Sequence, residues 1–147
     1  MKKLFTLNLL IVLFFSGLPV KGQTKTSYTR LPKVAQLFLA KYFPKTAVVQ
    51  VSEETTFFIF NKEYKLQLEN GTKIVFDDDG DWKELSMKRK SVPRELVPVN
   101  IQKHIDKSFP NTFIKEIKKE SAGYEVEISN GLELEFTQKG KFIRIDD

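Results

Sequence analysis

A single arrangement of residues occurs twice in this chain, and that repetition limits the available folds more than any other feature. Each occurrence opens with a proline, reaches a Phe-Pro pair eleven residues later, and continues to a tyrosine, an Asn-Gly pair, a phenylalanine and a glycine. The matched landmarks are Pro32, Phe43-Pro44, Tyr64, Asn70-Gly71, Phe76 and Gly80, and then Pro98, Phe109-Pro110, Tyr124, Asn130-Gly131, Phe136 and Gly140. Self-similarity of this kind predicts two copies of one supersecondary unit.

A helix is expected at the start of each copy. Pro32 and Pro98 suit a first helical turn, where the missing N–H has no partner to lose. Pro44 and Pro110 end the helices, because proline cannot continue a helical hydrogen-bond ladder. Apolar residues recur at i, i+4 and i+8 and are therefore expected in the core: Ala35, Leu39 and Phe43 in the first copy, and Ile101, Ile105 and Phe109 in the second.

Antiparallel strands are expected after each helix, and hydrophobic alternation selects the turn between two of them. A two-residue Asn-Gly loop would place Ile128 opposite Glu133, whereas a three-residue loop places Ile128 opposite Leu132. The second choice puts all apolar side chains on one face, so it predicts a left-handed glycine with a bulge. The apolar face would hold the helix, and the other would meet solvent. The predicted pairs are Val126–Leu134, Tyr124–Phe136, Leu66–Ile74 and Tyr64–Phe76.

These patterns predict an α+β fold of two tandem repeats, each with one helix and about four antiparallel strands, with the helices on one face of the sheet. The first repeat is expected over residues 23–85 and the second over residues 97–147. Residues 86–96 would link them within one domain, and one continuous sheet or two would satisfy the pattern. The basic run from Lys88 to Lys90 is interpreted as a solvated connection or, alternatively, as a docking patch for an acidic surface.

The first 22 residues are typical of a cleaved signal peptide. Lys2 and Lys3 precede an apolar run over 4–15, and Val20 and Gly22 occupy the positions that suit cleavage. The run is too short to span a bilayer, which takes roughly 20 residues. We therefore expect a periplasmic or secreted protein that begins at Gln23 and has no membrane span after cleavage. Cleavage would remove three lysines and no acid, lowering the net charge from +5 to +2, so nucleic acid is not an expected partner.

Composition restricts the chemistry further. The chain has no cysteine and a single histidine, His104, which leaves few ligands for zinc, copper or haem. His104 is expected at the surface of the second helix rather than as a catalytic base. No nucleophile elbow or glycine-rich phosphate loop accompanies it. We predict no catalytic residue, no enzyme activity, and no cofactor other than calcium.

The combination of a proline-started helix ending in Phe-Pro with strands carrying Tyr-x-x-x-x-x-Asn-Gly and Phe-x-x-x-Gly-x-aromatic, in two copies, resembles the PepSY-like family. Members are exported proteins, common in Bacteroidetes, with a fold likened to the β-lactamase inhibitor protein. The resemblance covers nearly all of residues 30–147. It implies a periplasmic or secreted protein with an inhibitory or regulatory binding role, and calcium regulation has been suspected for some members. It transfers no catalytic residue.

Three differences between the copies are the candidate functional sites, and the first is an acidic loop. Asp77, Asp78, Asp79 and Asp81 surround Gly80, where the second copy carries a threonine, a glutamine and two lysines. Four neighbouring carboxylates repel one another, and calcium takes oxygen ligands at flexible geometry, so these are the candidate calcium ligands. The EF-hand pattern is incomplete, because no glutamate follows at the twelfth position. The alternative is a polar turn whose aspartates bind local N–H groups.

The second difference is an acidic strand face in the second copy. The derived register places Glu125 opposite Glu135 and Glu127 opposite Glu133, although like charges directly opposed destabilise a sheet. Lys118 has the right parity to relieve part of the repulsion. A solvated face that keeps the protein soluble is one interpretation. The others are a docking surface for a basic partner and a second cation site.

The third difference is a surplus of apolar residues in the first copy. Its helix carries Val34, Leu37, Phe38 and Tyr42 where the second helix is polar, and the six extra residues of this copy lie near an aromatic run. The two surpluses could cover each other or the junction between copies. Alternatively, they form an exposed patch that binds a partner protein. Its candidate anchors are Phe38, Phe57, Phe58 and Phe60.

The leading hypothesis is therefore an exported, non-catalytic binding protein, an inhibitor or regulator of another envelope protein. A calcium-responsive periplasmic protein that uses the Asp77–Asp81 loop is the alternative. A hydrolase ranks third.

Overall fold

An antiparallel sheet of eight strands dominates the computed structural model, which describes residues 28–56 and 61–146. Helix α1 (Lys33–Tyr42) precedes the first four strands. A 3-10 turn (Arg94–Leu96) and helix α2 (Val99–Ser108) precede the last four. The strands are β1 (Val48–Thr56), β2 (Asn61–Leu68), β3 (Lys73–Phe76), β4 (Trp82–Ser86), β5 (Ile114–Glu120), β6 (Gly123–Ile128), β7 (Glu133–Thr137) and β8 (Phe142–Asp146). The predicted signal peptide over 1–22 lies outside the described residues.

The strands follow one another across the sheet in chain order, from β1 to β8. One apolar row crosses all eight, because directly opposed residues share a face: Val51, Leu66, Ile74, Leu85, Ile117, Val126, Leu134 and Ile145. The six central members of this row are fully buried. The row therefore forms the spine of a single hydrophobic core.

The prediction of an α+β fold built from two tandem helix-plus-strand repeats is wrong. The protein is mostly β, with two ten-residue α-helices among the described residues, and its strands form one sheet. The sheet is continuous because β4 pairs with β5, which places Leu85 opposite Ile117. Residues 86–96, predicted as a linker, also contribute to the core, since Met87 and Val92 are buried. Val92 donates its N–H to the Ile114 carbonyl at 2.9 Å.

The predicted hairpin register is confirmed at both Asn-Gly turns. Tyr124 faces Phe136 and Val126 faces Leu134, and the corresponding pairs between β2 and β3 are also present. The Ile128 N–H reaches the Leu132 carbonyl at 3.0 Å, which closes a three-residue loop around Gly131. Gly131 has a φ of 89° and Gly71 a φ of 83°, the left-handed conformation that the alternation required.

Both helices bury residues in the same core cluster, Ala35 and Leu39 from α1 and Ile101 and Ile105 from α2. The opposite side of the sheet is left without a helix among the described residues, and it carries the charged side chains of the strands. No helix within residues 28–56 and 61–146 is both long and apolar enough to cross a bilayer.

Candidate protein-binding face

The exposed side of β4–β8 carries two parallel rows of mostly charged side chains. Register fixes both rows, because each residue lies directly opposite the next on the neighbouring strand. The first row contains Glu84, Lys118, Glu125, Glu135 and Arg144, and the second contains Ser86, Glu116, Glu127, Glu133 and Asp146. Lys115 joins them through its ion pair with Glu127. We call these two rows and Lys115 the acidic face, since seven carboxylates share it with three cationic groups.

Lys118 is the second residue of the first row and has three carboxylates around it, two of which it binds. Its Nζ is 2.8 Å from Glu125 Oε1 and 3.2 Å from Glu116 Oε1, and Glu84 lies directly opposite on β4. Burial alone would lower the pKa of Lys118, but its hydrogen bond to Glu125 and the nearby carboxylates of Glu116 and Glu84 raise that pKa overall. The predicted relief of acid repulsion by Lys118 is therefore present.

The second row is an uninterrupted run of carboxylates on four successive strands. Glu116, Glu127, Glu133 and Asp146 are opposed in turn, at the strand spacing of about 4.8 Å. Glu127 is paired with Lys115 at 2.5 Å, and Asp146 lies 3.9 Å from Arg144. Glu133 has no ion-pair partner within the described residues. This row carries most of the negative charge that the face leaves uncompensated.

Two carboxyls of the face are held at raised pKa values. Burial, followed by the Glu116 carboxylate, raises the pKa of Glu84 above its ordinary value. Burial and then the Glu125 carboxylate raise the pKa of Glu133. Both groups would be stabilised by an additional cation, because a positive charge favours their ionised form. The acidic face is thus suited to cationic groups from outside the chain.

The aspartate loop is a tight hairpin turn between β3 and β4. The Asp77 carboxylate accepts the Asp81 N–H at 2.8 Å, and Asp77 and Gly80 close the turn through backbone hydrogen bonds. The turn between β7 and β8 repeats this geometry without acids, since Thr137 Oγ1 accepts the Lys141 N–H at 3.1 Å. The fold therefore does not require the carboxylates of Asp78 and Asp79.

This turn does not form a calcium cage as it stands. Asp77 directs one oxygen at a backbone N–H. Within residues 28–56 and 61–146, no group of three or more acidic, histidine or cysteine side chains is arranged to hold a metal ion. Asp77 matches the alternative that the sequence left open, since its carboxylate binds an N–H of the turn itself.

The candidate aromatic anchors separate into two groups. Phe38 is partly buried against the core, with its ring 4.8 Å from that of Tyr42 and edge-on to Phe76 at 5.4 Å. Phe57, Phe58 and Phe60 lie outside the described residues. The structure thus places Phe38 in the packing between α1 and the sheet. On the same helix, Val34 and Leu37 are exposed.

His104 packs in a similar place under α2. Its ring stacks on Phe142 at 4.4 Å and meets Phe136 edge-on at 5.6 Å. The histidine therefore fills the space between α2 and the last two strands, as a packing residue that is half buried rather than fully exposed.

Sequence reasoning found the four glutamates of β6 and β7 and Lys118 but missed five other charged members of the face: Glu84, Lys115, Glu116, Arg144 and Asp146. The missing information is the pairing of β4 with β5 and of β7 with β8, together with the bulge in β5. Extra residues at Lys83, Lys115 and Ile143 interrupt the alternation of those strands, so parity counted along the chain assigns side chains to the wrong face.

A family model described as "Putative beta-lactamase-inhibitor-like, PepSY-like" matches residues 62–144. The chain belongs to this family. The single match runs across both predicted repeats and does not show two copies. No curated protein matches the chain.

Solved structures of related proteins share the fold. A DUF2874-family protein of Bacteroides vulgatus, assigned to the periplasm, is 34% identical with a TM-score of 0.76, over 82% of this chain and 93% of its own. A second B. vulgatus protein of that location is 30% identical with a TM-score of 0.77, over 87% and 97%. A Bacteroides thetaiotaomicron protein, assigned as calcium-regulated and periplasmic, is 34% identical with a TM-score of 0.76, over 82% and 93%. The predicted periplasmic or secreted location is confirmed by these relatives.

Proposed function

We propose that this protein is a non-catalytic periplasmic binding protein that holds a basic surface of another envelope protein against its acidic face. The observation that carries the proposal is the excess of carboxylates on one side of the sheet, seven against three cationic groups. The inhibitor-like description of the family supports a protein as the partner.

The internal ion pairs make the face a prepared surface rather than a set of mobile charges. Lys118 orients Glu116 and Glu125, and Arg144 holds Glu135 at 2.7 Å. Side chains that are already ordered lose less entropy on binding. Charged groups of this kind mainly increase the association rate and select the partner, so the interaction would weaken with salt.

A pair of charge-matched variants tests the proposal. Glu127→Gln/Glu133→Gln removes two carboxylates from the acidic face, and Asp78→Asn/Asp79→Asn removes two from the exposed turn. Each variant and the wild type would be immobilised and exposed to envelope extract of the source cell at low and at physiological salt. The bound proteins would be quantified by mass spectrometry.

We expect the acidic-face variant to lose proteins that the wild type and the turn variant retain, and these proteins to be basic. Hydrogen–deuterium exchange of the wild type with a captured protein should then show protection on β5–β7. Identical captured sets for all three baits, or protection confined to the helix side, would contradict the proposal. Thermal unfolding of each bait would establish that the variants are folded.

The aromatic residues Phe57, Phe58 and Phe60 remain proposed as a second contact for the same partner. A Phe57→Ser/Phe58→Ser variant in the same experiment tests them separately. An unchanged captured set would remove these residues from the proposed interface and leave the acidic face unaffected.

Calcium regulation is the second candidate, favoured by the calcium-regulated relative and by the four aspartates of the turn. Since the turn is not arranged as a cage, binding would require its carboxylates to rearrange around the ion, with one Asp77 oxygen already accepting the Asp81 N–H. Ligand bound only by the folded state stabilises it, by about 2.7 kcal/mol at a hundredfold excess over Kd. We therefore expect millimolar calcium to raise the melting temperature of the wild type and not of Asp78→Asn/Asp79→Asn. No shift, or equal shifts, would exclude this candidate.

A further inference from the structure

The last strand leaves one edge of the sheet open. Within the described residues, β8 is hydrogen-bonded to β7 alone. Ile143 and Ile145 are 51% and 40% exposed on this strand. Ile145 ends the apolar row that crosses all eight strands, and every member of the row from Leu66 to Leu134 is fully buried. The core therefore ends at an incompletely covered residue on a free strand edge.

Such an edge presents unpaired N–H and C=O groups that another strand can use. We propose that β8 pairs antiparallel with β8 of a second copy of this chain, about a two-fold axis at Arg144. When two identical strands pair antiparallel about a two-fold axis, one residue must lie directly opposite the same residue of the second copy. With Arg144 on the axis, Ile143 lies opposite Ile145 of the second copy, and the contact occurs twice. The apolar row would then continue from one molecule into the next.

Charges at the axis favour this register in spite of the two opposed arginines. Arg144 is paired with Glu135 at 2.7 Å and lies 3.9 Å from Asp146. Arg144 and Asp146 occupy successive positions on the same side of the strand, so each guanidinium would lie diagonal to Asp146 of the second copy. Two guanidinium groups would thus share four carboxylates.

The opposite edge of the sheet is less suited to self-pairing. β1 carries two consecutive exposed glutamates, Glu53 and Glu54, which are paired with Lys62 at 3.0 Å and Lys65 at 2.5 Å. Charged edge residues of this kind hinder the approach of another strand. A β8 pair about a two-fold axis is isologous and closes at two copies, whereas β8 on β1 would generate an open chain of molecules.

The interface would be small. The extra residue at Ile143 interrupts the regular ladder, so few main-chain hydrogen bonds form. Strand pairing with two isoleucine contacts falls at the low end of specific interfaces, below about 1,200 Å². We therefore expect a weak, concentration-dependent dimer that forms without any partner on the acidic face.

Sedimentation velocity on the exported chain over a wide concentration series tests the proposal. Wild type should shift from monomer to dimer, and Ile145→Lys should weaken dimerisation by about tenfold or more. Val49→Lys is the matched control, because Val49 is a 45% exposed valine on the β1 edge. The control should dimerise as the wild type does.

The chain has no cysteine, so Arg144→Cys reports the register directly. Residues opposed across an antiparallel pair have Cα atoms about 4.5–5.5 Å apart, within the range that a disulfide spans. Mild oxidation should therefore give a covalent dimer with Arg144→Cys and not with Val49→Cys. A monomer at all concentrations, an Ile145→Lys variant that dimerises as the wild type does, or equal cross-linking of both cysteine variants would overturn the proposal.

Discussion

The two halves of the molecule, α1 with β1–β4 and α2 with β5–β8, are alike beneath the helices and different on the open side. Phe38 meets Phe76 edge-on at 5.4 Å, and His104 meets Phe136 edge-on at 5.6 Å. On the open side, β2 and β3 of the N-terminal half carry Lys65, Gln67, Lys73 and Val75. The strands of the C-terminal half carry the acidic rows, which begin at Glu84 and Ser86 on β4.

This difference shows that the helix side and the open side of the sheet are under different constraints. Burial restricts the helix side, because side chains there must fill a shared core at high packing density. The open side needs only to remain solvated, so its composition is free to diverge. Negative charge has accumulated on one part of that side, although opposing like charges in a sheet is destabilising. A binding function is therefore best sought there.

The turns that touch the helices provide the largest expected effects. Gly80 and Gly140 have φ values of 89° and 72° and lie against the first turns of α1 and α2. A Cβ on Gly80 would lie 2.8 Å from Pro32 Cβ and 2.9 Å from the backbone nitrogen of Ala35. On Gly140, the closest atom would be Asn100 Cβ at 3.0 Å. The N-terminal half is therefore packed more tightly at this point.

We expect Gly80→Ala to destabilise the protein by about 3 kcal/mol and Gly140→Ala by about 2 kcal/mol, since both add strain at positive φ to a steric contact. Gly131→Ala is the control, because its φ is 89° and no atom lies within 4 Å of an added Cβ. It should cost only the conformational term, about 1 kcal/mol. Equilibrium urea unfolding measures all three. An order in which Gly131→Ala costs most would show that packing against the helices does not distinguish these turns.

The aromatic residues under the helices are expected to have intermediate effects. Phe38 packs on Tyr42, Phe76 and Trp82, and it was also a candidate partner anchor. As a core contact that is only partly buried, Phe38→Ala should cost about 2 kcal/mol. His104→Ala should cost about 1 kcal/mol, because a smaller apolar ring area is lost.

The same urea experiment distinguishes the two roles of Phe38. A loss of stability below about 0.5 kcal/mol, as for an ordinary surface substitution, would place Phe38 outside the core and return it to the list of candidate anchors. His104→Phe provides the converse test and should be neutral or slightly stabilising if the histidine acts only through packing on Phe142 and Phe136.

How much of the structure could be predicted from sequence depends on how far apart in the chain the interacting residues lie. The Tyr124–Phe136 and Val126–Leu134 pairs were predictable, because a short turn and strict alternation determine them locally. The contact of Leu85 with Ile117 joins strands separated by a helix, and no local pattern specifies it. That pairing makes the sheet continuous, so its absence from the sequence analysis led to the wrong fold class.

The same limit applied to the candidate site. Glu125, Glu127, Glu133 and Glu135 lie on one locally determined hairpin and were found. Glu84 joins them only through the β4–β5 pairing, and Glu116 joins them through its place opposite Glu127 in the β5–β6 pairing. Bulges at Lys83 and Lys115 reverse the parity on which a prediction of either residue would depend.

The smallest effect that we predict lies where the halves meet, at the two glutamates that flank Lys118. Glu84 on β4 forms no ion pair among the described residues, and burial followed by the Glu116 carboxylate raises its pKa above 4.5. Glu125 on β6 is held by Lys118 at 2.8 Å. At neutral pH, Glu84→Gln should therefore stabilise the protein by about 1 kcal/mol or less, because it removes a carboxylate that folding disfavours. Glu125→Gln should destabilise it, because it removes the partner of a half-buried lysine.

The pH dependence of the unfolding free energy tests the direction of the Glu84→Gln effect independently. A carboxyl whose pKa is raised by folding binds its proton more tightly in the folded state, so stability is highest below the unfolded value of about 4.5 and falls as pH rises through the folded value. The advantage of Glu84→Gln should therefore be absent below about pH 4 and reach its full size near neutral pH. Urea unfolding of both variants at pH 4 and pH 7 measures this. A stabilisation that is equal at the two pH values would mean that the amide acts through hydrogen bonding or shape. The open side at the β4–β5 boundary would then destabilise an unpaired carboxylate no more than water does.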